Sequence, residues 1–287
     1  MSMVDTDYLR QWIGRKERIC ETITPNLVER FEATLGSSAH RMPDAAPLAI
    51  HWCLAPPAVP SDELGSDGHP ARGGFLPPVP LPRRMWAGGK MAFHHPLRAG
   101  AEVTRASRIA DVTHKTGRSG ELVFVTVEHS IESDGKTAIT ERQDIVYRNM
   151  EEAAKGPAPS RRLDASAPKP AQTADHTETV EATTTLLFRY SALTFNGHRI
   201  HYDLDYARDV EGYPGLVVHG PLQATLMLHM AARLHEGQQP REVSYRGVSP
   251  LFHGAAFTVN ANRTANGIDL WCADRQGIAT MNASIQF

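Results

Sequence analysis

Three histidines and an asparagine crowd one stretch of the second half of the chain. In "FNGHRIHYD", Asn196, His198 and His201 fall within six residues, and "VVHGPL" sets His219 directly before Gly220. Imidazole both takes and gives a proton near neutral pH, so the group points first to acid–base work. The spacing does not suit a metal: Gly197 argues for a turn rather than a helix, and no third ligand follows at a usual interval. No GxSxG elbow is present, and no cysteine has a neighbour that marks a nucleophile. "AGGK" at 87–90 lacks the leading glycine of a phosphate loop. Gly220 would open a Pro-started helix, where free N–H groups and the helix dipole favour a developing oxyanion. A base on a turn and an oxyanion donor at a helix start suit chemistry beside a carbonyl. Asp203, two residues after His201, suits an N-cap better than a catalytic acid.

The elements that must hold these groups are legible in outline. With 287 residues, 41% apolar and 22% charged, the chain can bury a sizeable core. A formal charge of −2, with dispersed Lys and Arg, excludes nucleic acid as the main ligand. Cys20, Cys53 and Cys272 show no paired spacing, which fits a reducing compartment. No secretory signal opens the sequence and no apolar run would span a membrane, so a cytoplasmic protein is expected. The segment 151–175 is rich in Pro, Ala and Ser and reads as a linker between an N-terminal unit, 1–150, and a C-terminal unit, 176–287.

The two units share a plan. "HHPLRAGAEVTRASRI" and "VSPLFHGAAFTVNANR" carry the same Pro-Leu and Gly offsets, Pro96-Leu97 with Gly100 and Pro250-Leu251 with Gly254, and each precedes a train of period-two strands. Each unit also has one good helix ahead of its strands. In "TPNLVERFEATLG", Thr24 caps, and Leu27, Val28, Phe31 and Leu35 make one apolar face. "GPLQATLMLHMAARLHEG" is apolar around most of its circumference and must be buried. The class is α+β. Between the first helix and its strands, 55–82 holds eight of the twenty prolines; loops of that length are uncommon unless functional.

Taken together, "RYSALTFNGHRIHYD" and "YPGLVVHGPL" resemble the MaoC-like hotdog hydratases and dehydratases. Their signature runs roughly G-D-x-N-P-hydrophobic-H-x-D, with a later A-H-G-hydrophobic at the start of the central helix. His201 matches the catalytic histidine, Ile200 the hydrophobic position, Asp203 the trailing Asp, and His219-Gly220 the second element. His198 stands where the family has Asn, and Arg199 replaces its proline. Asn196 occupies the position of the catalytic Asp. The resemblance is closest to a double-hotdog subgroup that includes mesaconyl-type and itaconyl-CoA hydratases, and extends to hydroxyacyl-thioester dehydratases.

That resemblance implies two tandem hotdogs, each an antiparallel sheet around a central helix, in a chain that associates as a homodimer or higher homo-oligomer. It implies one active site per chain, in the second unit, with the first as a substrate wall. No cofactor is expected, because the acyl-CoA thioester is the substrate. The expected reaction is hydration of an α,β-unsaturated acyl-CoA, with His201 as base, Gly220 N–H on the thioester oxygen and Asn196 orienting water. For a branched C5 dicarboxylic ester yielding citramalyl-CoA, a cation must meet the second carboxylate. Arg199, and Arg189 on the strand preceding the motif, are the sequence candidates, with His198 and His219 as further substrate contacts. A general enoyl-CoA hydratase or hydroxyacyl-thioester dehydratase is the near alternative; a hotdog thioesterase or a noncatalytic acyl-CoA-binding protein would be a different outcome.

Overall fold

A computed structural model describes residues 4–42, 44–117, 120–149 and 173–287. The expected linker falls almost entirely outside them. The described strands are β1 (Lys16–Thr22), β2 (Arg83–Phe93), β3 (Glu102–Gly117), β4 (Gly120–Ser133) and β5 (Lys136–Arg148) in the first half. In the second half they are β6 (His176–Glu181), β7 (Glu242–Gly247), β8 (Ala256–Thr264), β9 (Gly267–Ala273) and β10 (Ala279–Gln286). They form one antiparallel sheet in the order β1-β3-β4-β5-β2-β7-β10-β9-β8-β6. The order is a palindrome about the β2–β7 seam, with β1 answering to β6 and β3 to β8. The repeated glycines confirm the equivalence: Gly100 and Gly254 both have φ near +87°, at +86° and +87°. Each donates its N–H to the residue that follows the outer strand, Ile23 O at 2.7 Å and Ala182 O at 3.1 Å.

The helices depart from the sequence expectation in an instructive way. Helix α1 (Thr6–Arg10) precedes β1, and α2 (Pro25–Leu35) follows it, capped by Thr24 Oγ1, which accepts from Leu27 N. The counterpart of α2 is α3 (Thr184–Leu193), which follows β6 and is capped in the same way by Thr183 on Leu186 N. Each cap contributes about 1 kcal/mol. The β-favouring, aromatic content of this segment reads as a strand; the cap and the burial of Leu187 and Tyr190 make it a helix. Helix α4 (Gly220–Leu234) is buried continuously from Leu222 to Ala232, as its all-round apolar character requires. Among the described residues nothing of that kind fills the same place in the first half. Between α2 and β2 the described chain makes only short helical turns at Gly36–Ser38, Ile50–Cys53 and Ser61–Glu63.

The proline-rich segment packs rather than floats. Val79 and Leu81 are fully buried in a second core with Val4, Leu9, Val125 and Tyr147. Proline-rich backbone makes few ladder bonds, so its carbonyls need other donors. Arg72 provides them, donating to Val79 O, Leu81 O and Pro82 O. At the seam, Gly88 and Gly89 of β2 leave room for Tyr245 of β7: a Cβ on Gly88 would lie 2.5 Å from Tyr245 O. The Tyr245 ring stacks on Trp86 at 4.4 Å, and its hydroxyl donates to the buried Glu141 carboxylate at 3.0 Å. That is the structural meaning of "AGGK". Among the described residues no helix is long and apolar enough to cross a membrane.

Candidate active site

The turn that carries the histidines is built by its own asparagine. Helix α3 ends at Thr194, Phe195 turns through a left-handed φ of 48°, and Asn196 Oδ1 accepts from His198 N at 3.0 Å. A single helical turn, Arg199–His201, then buries His201 against the strand-like segment before α4. Val217 N donates to Ile200 O at 2.9 Å and fixes that contact.

The geometry settles the His201 tautomer. Its Nδ1 lies 2.7 Å from Val217 O. A carbonyl can only accept, so Nδ1 carries the hydrogen and Nε2 keeps its lone pair. Nε2 has no partner among the described residues and is not sealed off. It borders a cavity of ≈ 670 Å³. Burial lowers the His201 pKa to about 4, the Val217 bond opposing that shift, so the ring is a neutral base at physiological pH.

The neighbouring rings form a stack. His219 lies behind His201 at 3.7 Å between centroids and 20° between planes, its Nε2 2.8 Å from Ser191 Oγ. Burial and its histidine neighbours push the His219 pKa well down, and the ring does not border the cavity. His198 does border it, edge-on to His201 at 5.5 Å. Asn196 and Gly220 line the same cavity. The Gly220 N–H is the first of α4 and meets no acceptor among the described residues. A Cβ there would lie 2.9 Å from the Trp86 ring, so glycine lets the helix start pack against Trp86 of the first half.

The two arginines expected to meet a carboxylate are placed elsewhere. Arg199 donates through Nε and Nη2 to Asp203 Oδ2, at 3.0 and 2.7 Å, and through Nη1 to Ser66 O. Its guanidinium also lies 4.2 Å from the Tyr206 ring centroid. Asp203 Oδ1 accepts from Tyr206 N, so the capping role expected for it is present. Arg189 sits on helix α3, not on a strand, and its Nη1 donates to Ala33 O at 3.5 Å. Neither arginine borders the cavity.

Groups from the first half do, His69 and Arg84 among them, and the sequence reading passed over both. Asp67 and His69, from "GSDGHP" in the proline-rich segment, reach the histidine turn: His69 packs on His198 at 4.3 Å, and its Nδ1 lies 3.0 Å from Asp67 Oδ2. Arg84 of β2 lines the cavity too, and no ion pair or hydrogen bond from its side chain occurs among the described residues. An Asp and a His two apart in a long glycine-flanked loop were the available signal. The first half is therefore more than a wall.

The matching family model is hydroxyacyl-thioester dehydratase type 2, over residues 49–253. That span takes in both the proline-rich loop and the histidine turn. The chain belongs to this family of hydro-lyases. Among curated relatives, the mesaconyl-C(4)-CoA hydratase of Chloroflexus aurantiacus is 44% identical over 277 residues, 96% of each chain. Among solved structures, a MaoC-like dehydratase from Phytophthora capsici superposes with a TM-score of 0.68 at 14% identity, covering 99% of both chains. A Mycobacterium tuberculosis protein with a double hotdog fold gives 0.53 at 14% identity over 96% of both. These distant structures show the fold, a double hotdog, as the resemblance implied.

Proposed function

We propose that this protein adds water reversibly across the carbon–carbon double bond of a branched C5 dicarboxylic acyl-CoA, a mesaconyl-type ester yielding citramalyl-CoA. The observation that carries the reading is the pairing of an accessible, unprotonated His201 Nε2 with the free Gly220 N–H on one cavity. Water bonds to Cβ as one of its protons passes to Nε2. The displaced electron pair moves toward the thioester, whose oxygen takes enolate charge and is met by the Gly220 amide at the positive end of α4. His201 then returns the proton to Cα. The Asn196 carbonyl oxygen accepts one hydrogen bond from its own turn, and an amide does not titrate, so the side chain serves as a positioning group for water or substrate. The same steps reversed are a dehydration. The thioester is the substrate, and no step calls on a cofactor.

The dicarboxylic part of the reading is supported by the named Chloroflexus relative and by Arg84. Nearby arginines are committed: Arg72 to three carbonyls, Arg83 to Glu211, Arg105 to Glu17 and Arg199 to Asp203. Arg84 replaces Arg189 and Arg199 as the residue we assign to the distal carboxylate, which its planar fork can bind through both oxygens. At the mouth, Phe188 and Phe195 are 64% and 61% exposed and border the cavity, an apolar rim suited to a pantetheine arm.

The test is turnover of a mesaconyl-type ester beside crotonyl-CoA, following loss of the enoyl thioester and release of free CoA. The dicarboxylic ester is preferred by at least tenfold in kcat/KM, and Arg84→Met removes most of that preference. Equal use of crotonyl-CoA overturns the dicarboxylate assignment. Release of CoA without hydration overturns the reaction in favour of a thioesterase.

A further inference from the structure

The family's acid–base pair is incomplete in the histidine turn, where an amide, Asn196, stands in the carboxylate's place. A carboxylate nevertheless reaches the site from the other half of the chain. Asp67 accepts from His69 twice, Oδ1 from the backbone N–H and Oδ2 from Nδ1, both at 3.0 Å. The hydrogen bonds from the His69 ring and backbone hold Asp67 ionised against burial, while burial lowers the His69 pKa to about 4 and keeps that ring neutral near pH 7. An ionised carboxylate has no proton to give, so Nδ1 of His69 is the donor and Nε2 keeps a lone pair. That nitrogen is not sealed off, and the ring borders the cavity. The loop is tied in register with the turn, Arg199 N donating to Asp67 O at 2.9 Å and Arg199 Nη1 to Ser66 O at 3.1 Å, and it is closed on itself by Gly65 N donating to His69 O at 2.7 Å.

Two imidazoles from opposite halves thus present unprotonated Nε2 atoms to one cavity, with His198 between them at 4.3 Å from one ring and 5.5 Å from the other. A water molecule with two hydrogens needs two acceptors if its lone pair is to be aimed at a carbon. We propose that His69, oriented by Asp67, is a second catalytic imidazole, which accepts the hydrogen of the attacking water that His201 does not take. The inference rests on the hydration reading. Its balance is simple. The oxygen bonds to Cβ, one proton travels from water through His201 to Cα, and the other stays on oxygen as the product hydroxyl, still donating to His69. Asp67 acts through His69 and is a positioning residue.

Ligand-capable atoms of Asp67, His69 and His198 also lie within 4.8 Å of one another. A metal held there would tie up Asp67 and His69 as ligands and make activity depend on the ion, so the two readings part in experiment. The intact protein is assayed with the best enoyl-CoA ester. His69→Ala lowers kcat at least 100-fold with KM within about threefold, the order set by loss of an acid–base partner. His69→Gln, whose side-chain oxygen can stand near the lost Nε2, recovers at least tenfold of that loss. Asp67→Asn lowers kcat at least tenfold and displaces the acid limb of kcat/KM downward, since a removed negative charge makes His69 and His198 harder to protonate.

If wild type hydrates its ester but His69→Ala keeps more than a third of its kcat, the inference falls and the hydration reading stands. If wild type hydrates no ester, the hydration reading falls, and the inference with it. Should His69→Ala not fold, the Gln and Asn variants decide, with their circular dichroism and Tm as the check. A purely structural loop lowers Tm in all three variants and leaves the pH profile in place, which overturns the proposal. Activity lost to chelator dialysis and restored by Zn²⁺ overturns it in favour of metal ligation.

Discussion

Gly68 and Gly197 meet backbone against backbone, one on the proline-rich loop of the first half and the other in the histidine turn of the second. A Cβ on Gly68 would run into the Gly197 carbonyl, and one on Gly197 would stand 2.6 Å from Gly68 O. Gly68 also has φ of +85°, which side-chain-bearing residues rarely adopt. The contact brings Asp67 and His69 onto His198. Either Gly→Ala change therefore lifts the loop from the turn. We expect Gly197→Ala to lower kcat at least tenfold while Tm moves by only a few degrees, because neither core is opened. Turnover within twofold of wild type would show that the joint does not set the site.

His201→Ala is expected to cost 10²-fold or more in kcat in a protein that stays folded. The acid limb of kcat/KM tests the same residue without mutation. With the folded-state pKa lowered to about 4, His201 remains an unprotonated base until pH falls toward that value. A limb near the 6.5 of free imidazole contradicts the burial described for this ring.

Asn196 divides into two expectations. Asn196→Ala removes the acceptor for His198 N and is expected to lower kcat by about tenfold or more through lost orientation. Asn196→Asp keeps an oxygen at that position and so keeps the turn. It adds a negative charge near His198 and His201, which favours their protonated forms, so the acid limb moves to higher pH. An unmoved limb in a folded Asn196→Asp variant would place that charge out of reach of the histidines.

Stability at low pH follows from Glu141. Burial alone would raise its pKa; bonds and charge from His51, then His129 and Gln143, bring it down to about 2 from 4.5. Trp52 and Tyr245 donate to it as well, at 2.9 and 3.0 Å. A folded-state value below the unfolded one means stability that is fully present above pH 4.5 and is lost as pH falls from there toward 2. Glu141→Leu strands these donors and is expected to cost about 3 kcal/mol at neutral pH. Glu141→Gln flattens the acid dependence of Tm, which a thermal melt series between pH 3 and 6 reads directly.

Much of this site was legible because its determinants are local. Asn196, His198 and His201 sit on one turn, and Gly220 opens a helix announced by Pro221 and an unbroken apolar run. The repeat was legible for the same reason, since Gly100 and Gly254 recur at a fixed offset ahead of matching strands. What escaped depends on contacts across more than a hundred residues. Asp67 and His69 lie in a loop whose composition speaks only of turns, and no periodicity tells that it lands on His198. Arg189 and Arg199 were attractive because they flank the motif in sequence. A helix points the first away, and Asp203, four residues on, takes the second. Arg84 lies far from the motif in sequence and carries no signal there. That the nearby arginines have partners and its side chain has none among the described residues is a property of the folded chain alone.

The palindromic sheet, closed at β2–β7, has one further consequence. Two identical chains joined by such a seam must repeat every change on both sides, so a helix lost from one copy is lost from its twin. A single polypeptide carrying both copies escapes that symmetry. Here one copy has the buried helix α4, with the Gly220 amide at its start, while the described residues of the other have short turns and a long proline-rich excursion in the equivalent place. The vacated position is where the chain gains reach: a segment released from wrapping its own helix extends over the seam and arms its neighbour's cavity.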